Sequence, residues 1–134
     1  MANEAAPIRS AVDRRRDLGL RGEEAAARWY VRAGYEIIDR NWRCRGGEID
    51  LVATVPDGSI VVFCEVKTRS STAFGTPEEA VTSPKQRRLR RLAARWLSEQ
   101  RTDAWPVRAV RFDVVAVLDD RSRGLVVDVV HDAF

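Results

Sequence analysis

Asp50, Glu65 and Lys67 are the side chains of this 134-residue chain whose types and spacing could do chemistry. They lie in two short stretches, Gly47-Glu48-Ile49-Asp50 and Glu65-Val66-Lys67. Between them Val55-Pro56-Asp57-Gly58-Ser59-Ile60 reads as a turn joining two apolar strands. If Pro56 to Ser59 form the loop, Val55 pairs with Ile60, Asp50 falls opposite Glu65, and Glu48 falls opposite Lys67. Cross-strand neighbours have Cβ atoms about 4.5–5.5 Å apart, and like charges there destabilise a sheet. A cation between Asp50 and Glu65 turns that repulsion into a binding site.

Alternation along the strands sets the faces. Ile49, Leu51, Ala53 and Val55 share one face of the first strand, leaving Glu48 and Asp50 on the other. In the second strand Ile60, Val62, Cys64 and Val66 form an apolar face, opposite Val61, Phe63, Glu65 and Lys67. The sheet is thus covered near the turn and opens into a polar cleft at Asp50, Glu65 and Lys67. The competing account is a solvated charge ladder, which leaves a bare carboxylate pair beside an apolar strand unexplained. A one-residue slip of register would exchange the faces of one strand.

Another carboxylate comes from upstream. Gly19 to Ala33 reads as a helix stopped by Gly34. Leu20, Ala27, Tyr30 and Val31 form its apolar stripe, with Glu23 inside the stripe and Glu24 on its border. A glutamate there calls for a partner. Two are open: the Asp50 and Glu65 site, or an ion pair with an arginine.

The length fits one domain. No apolar run approaches membrane-spanning length and the N-terminus lacks a signal-peptide core, so the expected location is cytoplasmic, without a membrane partner. Two isolated cysteines, Cys44 and Cys64, suggest neither a disulfide framework nor a zinc knuckle, and Cys64 falls on the packing face. The single histidine, His131, excludes a multi-histidine metal centre. Oxygen ligands suit Mg²⁺ or Mn²⁺.

Charge is concentrated. From Lys85 to Arg101 the chain carries seven basic residues against Glu99, a local charge of +6 in a chain of net +3. Ser83 can cap this helix and Pro84 fits its first position. Leu89, Leu92, Ala93 and Trp96 supply the buried stripe, leaving most arginines outward, an arrangement that suits a phosphate-rich partner or a merely solvated face. Lys85 aligns with the stripe at the helix start and can point back toward the carboxylates.

The remaining marks give an order α-β-β-β-α-β-β, an α/β layer arrangement with a mixed sheet. Met1 to Asp17 reads as a disordered tail before a domain spanning 18–134. Strands are expected near Glu36 to Arg43, Val110 to Leu118 and Leu125 to Val130. Arg69 to Thr82 reads as a polar connection with a helical turn at Glu78 to Val81.

Gly22-Glu23, Gly47-Glu48-Ile49-Asp50-Leu51 and Glu65-Val66-Lys67-Thr68-Arg69 together resemble the YraN-type family of predicted bacterial endonucleases. That family belongs to the PD-(D/E)xK superfamily, which includes restriction endonuclease-like and archaeal Holliday junction resolvase-like proteins. The similarity covers roughly Leu18 to Val130. Ile49 replaces the proline that the superfamily places before its aspartate. The resemblance implies an αβββαβ core and an Mg²⁺- or Mn²⁺-dependent endonuclease acting on DNA, in structured or branched form. It implies catalytic roles for Glu23, Asp50, Glu65 and Lys67. The metal would be held by Asp50, Glu65 and the Val66 carbonyl, with Glu23 binding directly or through water. Arg69 and Lys85 are phosphate contacts, joined on the basic helix by Arg88 and Arg91. A resolvase needs two sites, and hence a homodimer. The alternatives are a nucleic-acid-binding module of the same fold without turnover, and a scaffold using the fold for protein contacts.

Overall fold

In the computed structural model, which describes residues 10–70, 76, 78–100 and 107–134, the Pro56–Ser59 turn forms as its residue types require. The Val55 carbonyl accepts from the Gly58 amide at 2.9 Å, and the Asp57 carboxylate accepts from the Ser59 amide at 2.8 Å. The turn joins β2 (Gly47–Thr54) to β3 (Ile60–Arg69) in the register expected from the sequence, with Thr54 opposite Val61 and Leu51 opposite Cys64. β1 (Glu36–Cys44) adds antiparallel to β2; β4 (Ala109–Asp120) runs parallel to β3, and β5 (Gly124–Val130) antiparallel to β4. The result is a five-stranded mixed sheet in the order β1-β2-β3-β4-β5.

The parallel step from β3 to β4 demands a crossover. It contains a 3₁₀ turn at Glu78–Ala80 and α2 (Ser83–Glu99), whose Leu89, Leu92, Ala93 and Trp96 pack on Ile49, Val52, Val61, Phe63 and Phe112. On the other face α1 (Ala11–Arg32) lays Ala26, Ala27 and Tyr30 on Leu51, Ala53, Val62, Cys64 and Val115. The architecture is therefore a mixed sheet between two helices, α/β with an αβββαβ core followed by a last strand. Cys64 is fully buried, as a packing residue.

Several boundaries differ from expectation for physical reasons. α1 begins at Ala11 rather than Gly19, because the Ser10 side chain caps it by accepting from the Asp13 amide at 3.1 Å. Residues 11–17, expected to be a tail, are helical but exposed or half-exposed, which leaves them without an amphipathic stripe. Residues 1–9 of that expected tail lie outside the described residues, as do Arg101 and most of the connection at 71–77. Leu20 and Val31 are each 55% exposed; Gly22 and Ala26 take the buried positions instead. A Cβ at Gly22 would collide with the Thr68 side chain, so glycine lets α1 sit directly on β3. Thr82, not Ser83, is the N-cap of α2, without a side-chain capping bond.

The alternation of β2 also breaks, in addition to a register shift of β1 between Ile37 and Asp39. Ile49 packs in the α2-side core and Leu51 in the α1-side core, although the sequence pattern puts them on one face. The break falls at Asp50. Asn41 lies across from it, between the pairs Arg40–Leu51 and Trp42–Ile49, with a φ of 51° that turns the strand.

One buried polar network ties the α1 layer to the end of the chain. Asp113 is fully buried and accepts from Tyr30 Oη (2.6 Å), Arg111 Nε (2.8 Å) and the Asp132 amide (3.1 Å), with His131 Nδ1 2.8 Å away. Burial opposes ionisation of Asp113, but hydrogen bonds from Arg111, Tyr30 and His131 outweigh it and hold the carboxyl below its usual range. The stabilisation it contributes is therefore present above the ordinary aspartate pKa and is lost as pH falls through the depressed value. Asp113→Asn leaves Arg111 without its counter-charge and is expected to cost about 3–5 kcal/mol. Urea titrations at pH 7 measure the loss, and the gap between parent and variant should narrow on acidification.

Candidate functional site

The antiparallel ladder between β2 and β3 extends only as far as Leu51 and Cys64, while β3 stays paired with β4 through Arg69. Just beyond the end of the ladder the side chain of Asp50 replaces a backbone acceptor: its Oδ2 accepts from the Val66 amide at 2.8 Å. Asp50 is thereby drawn into the gap between the strands and is only 8% exposed. Burial first, then the charge of Glu65, push its pKa up to about 7, against the opposing pull of the Val66 amide; Glu23 and Glu48 push in the same direction. These carboxylates, from α1, β2 and β3, share one electrostatic field.

Glu65 is bonded to Lys67 in its own strand, Nζ to Oε1 at 3.1 Å. Glu48, expected opposite Lys67, instead pairs with Arg43 across β1 and β2 at 3.1 Å. The β2–β3 ladder ends before those positions could meet, which removes the expected Glu48–Lys67 pair. Glu23 is half-buried. Burial raises its pKa, a hydrogen bond with the Asn41 side chain opposes, and Glu48 and Glu65 raise it further. Glu23 therefore belongs to the acidic cluster and is held by an amide, not by an arginine of α2. Glu24 behaves differently: it is exposed, bonded to Arg40 at 2.7 Å and Arg28 at 3.4 Å.

Lys85 turns back toward the sheet, as its place on the stripe predicts. Its Nζ reaches the Ala80 carbonyl at 3.4 Å. The charge of Lys67, together with burial, lowers its pKa, while Glu65 opposes. The two lysines thus flank the carboxylates from β3 and α2. Arg69 continues β3 two residues beyond Lys67. Arg88 and Arg91 are exposed on α2, and the charge of Arg88 adds to that of Lys67 in lowering the Lys85 pKa. Asn41 is the member that sequence reasoning missed; its signal was an uncharged amide inside a strand of charged and apolar residues. A cavity of about 130 Å³ opens beside it, lined by Leu20, Glu23, Glu24, Arg40, Asn41 and Leu51.

Among the described residues no three histidine, cysteine or carboxylate side chains stand close enough to hold a metal ion among themselves. Asp50 and Glu65 nonetheless fit a hard cation chemically: both offer oxygen, and their mutual repulsion is what a cation relieves. Asn41 and Arg43 compete for Glu23.

Residues 22–117 match the model of the uncharacterised protein family UPF0102. The chain belongs to this family. Its match begins at Gly22 and covers the carboxylates, both lysines and the basic helix. A UPF0102 protein of Beutenbergia cavernae is 58% identical over 105 residues, 78% of this chain and 85% of that protein. One from Rhodococcus opacus is 51% identical over 117 residues, 87% of this chain and 95% of that protein. A third, from Nocardia farcinica, is 52% identical over 114 residues, 85% of this chain and 86% of that protein. No helix among the described residues is long and apolar enough to cross a membrane.

The raised pKa of Asp50 has a measurable consequence. A group whose folded pKa is raised contributes stability below its unfolded pKa, near 3.8, and loses it as pH climbs through about 7. Asn keeps an acceptor for the Val66 amide and carries no charge. In the presence of a chelator, Asp50→Asn should gain stability over the parent between pH 4 and 8, on the order of 1 kcal/mol and at most about 4. Melting curves across that range check it; a gain of the same size at pH 4 would mean that the benefit has another source.

Proposed function

We propose that this UPF0102 protein is a metal-dependent endonuclease that hydrolyses phosphodiester bonds of DNA, in structured or branched form, in repair or recombination. The reading rests on one observation: Asp50, nearly buried and held by the Val66 amide at 2.8 Å, faces Glu65, itself bonded to Lys67 at 3.1 Å. The Val66 amide accounts for Asp50 as an acceptor but not for a second carboxylate set beside it, whereas metal-assisted phosphodiester hydrolysis makes use of such a pair.

Mg²⁺ or Mn²⁺ held by Asp50, Glu65 and the Val66 carbonyl would supply charge neutralisation and a more acidic water. The protein's own groups do the rest. Lys67, fixed by Glu65, orients the attacking water or meets the charge that develops on the phosphate. Glu23, steadied by Asn41, would reach the metal ion directly or through a water. Lys85 adds positive charge from the α2 side, and Arg69, on the strand face of Lys67, is placed to contact a flanking phosphate. Cutting both strands of a branched DNA calls for two such sites and thus a homodimer. The expected place of action is the cytoplasm.

A second reading, a nucleic-acid-binding module of this fold without turnover, is favoured by the same two bonds. Asp50 engaged by an amide and Glu65 by an ammonium are carboxylates already compensated within the chain.

Titrating Mn²⁺ and Mg²⁺ with nicked, flapped and four-way DNA separates the readings. Asp50→Asn should abolish cleavage, and Lys67→Ala should lower it by 10²-fold or more, a usual scale for one positioned proton-transfer group. Both should keep DNA affinity within a few-fold. Metal-dependent cleavage undiminished in purified Asp50→Asn sinks the nuclease reading, and binding without cleavage by the parent favours the module.

Glu23 has its own test. Glu23→Gln should weaken activity and reduce the Mn²⁺-induced rise in melting temperature, whereas Glu24→Gln should leave that rise intact. A Glu23→Gln protein that melts lower but keeps the full metal-induced rise places this carboxylate outside the site.

A further inference from the structure

Beside the acidic cluster lies a second feature of opposite sign. Arg88, Arg91 and Arg95 recur along one face of α2 at the spacing that stacks side chains over successive turns. With Leu92 they form one wall of a cavity of about 210 Å³, and Cys44 at the end of β1 and Gly46 of the β1–β2 turn form the other. The turn closes on the helix because it carries glycine. A Cβ at Gly47, whose φ is 138°, would press within 3.3 Å of Leu92. Among the described residues only Arg95 of these arginines pairs with a carboxylate, Glu99 at 3.1 Å.

We infer that this groove is a phosphate subsite that holds the DNA strand on one side of the carboxylate cluster. The inference deepens the nuclease reading and rests on it for the path of the strand. Its volume is below the roughly 300–1,000 Å³ usual for organic ligand pockets, and suits a phosphate rather than a base with its sugar. Guanidinium forks match phosphate oxygens. From Gly47 to Asp50 the strand advances about 10 Å, at about 3.3 Å per residue. The groove therefore meets a phosphate that lies close along the strand to the one at Asp50 and Glu65. The need is electrostatic. Glu23, Glu48 and Glu65 act on Asp50 as like charges even with Glu48 and Glu65 ion-paired, a field that does not favour a polyanion, and the adjacent arginines supply the attraction that keeps the strand in place.

The test uses the full chain with a chelator present, so that binding is read without cleavage. Fluorescence anisotropy of a labelled 20-nucleotide single strand is followed against salt for the parent, Arg91→Gln, Arg95→Gln and, at the far end of the sheet, Arg108→Gln. Circular dichroism verifies folding. The groove variants should each bind about five- to ten-fold more weakly, with the slope of log K against log salt reduced by about 0.7 per lost contact on a single strand. Arg108→Gln should bind as the parent. Cys44 offers a second measurement on the unmutated chain, because it is half-buried at the groove while Cys64 is fully buried. Carboxymethylation by iodoacetate should weaken binding more than carbamidomethylation by iodoacetamide, since only the first adds negative charge beside the arginines.

Unchanged affinity and slope in both groove variants overturn the subsite. So does an equal loss in Arg108→Gln, which would indicate diffuse attraction, or an absence of DNA binding by the parent. Poly-glutamate displacing the strand at equal charge concentration overturns it in favour of an acidic protein. Loss of binding in the groove variants, beside a parent that never cleaves, supports the subsite and removes only the nuclease reading.

Discussion

β3 is paired on both sides for only part of its length, and the site depends on that constraint. Its ladder to β4 runs to Arg69, but its ladder to β2 ends at Cys64. Beyond that point an amide facing β2 would lack an acceptor in a half-buried place, a costly condition. The Asp50 carboxylate supplies the acceptor for Val66. One hydrogen bond thus does two things: it satisfies the backbone where the sheet splays, and it draws a carboxylate out of water beside Glu65. The high pKa of Asp50, the proximity of Glu23 and the exposure of Glu48 to Arg43 all follow from the splay at this place.

Two helices from opposite faces complete the arrangement. α1 reaches it because Gly22 brings the helix against Thr68, so the next residue, Glu23, arrives beside Asn41 and within the field of Glu48 and Glu65. α2 reaches it because the parallel step to β4 lays the crossover helix over Phe63 and Ile49, with Trp96 anchored to Asp39 at 2.8 Å. Its first turn delivers Lys85 to Lys67. Acids from α1, β2 and β3 thus meet lysines from β3 and α2 at one place.

The Asp113 network shows the contrasting use of a buried carboxylate. There every oxygen is occupied by Tyr30, Arg111, the Asp132 amide or His131, and the acid stays ionised. At Asp50 the neighbours are acids and the proton is favoured. Among the described residues no buried side-chain polar atom lacks a partner, so the acidic cluster stands apart by the sign of its neighbours rather than by unsatisfied bonding.

The element order, the register of the β2–β3 hairpin and the buried stripe of α2 were legible in the sequence because each follows from local rules: turn residues, alternation and helical spacing. That register was expected to set Asp50 directly opposite Glu65, but the ladder ends one pair short of them, and the Asp50 carboxylate bonds the Val66 amide beside Glu65 instead. The stripe of α1 was misread at Leu20 and Val31, because helical spacing identifies apolar positions but not which small residue a close-packed strand demands, as Thr68 does of Gly22. The Glu48–Lys67 pair failed, and Ile49 changed faces, because a ladder's end and a strand's turn at Asn41 are decided by three strands at once. Sequence determined that Asp50, Glu65 and Lys67 lie near one another, but not that Lys67 bonds Glu65 of its own strand while Glu48 goes to Arg43. Tertiary structure decided that Asn41 holds Glu23, that Asp50 is buried, and that a basic groove lies beside the acids, since burial and field depend on how layers close and not on the order of residues along one strand.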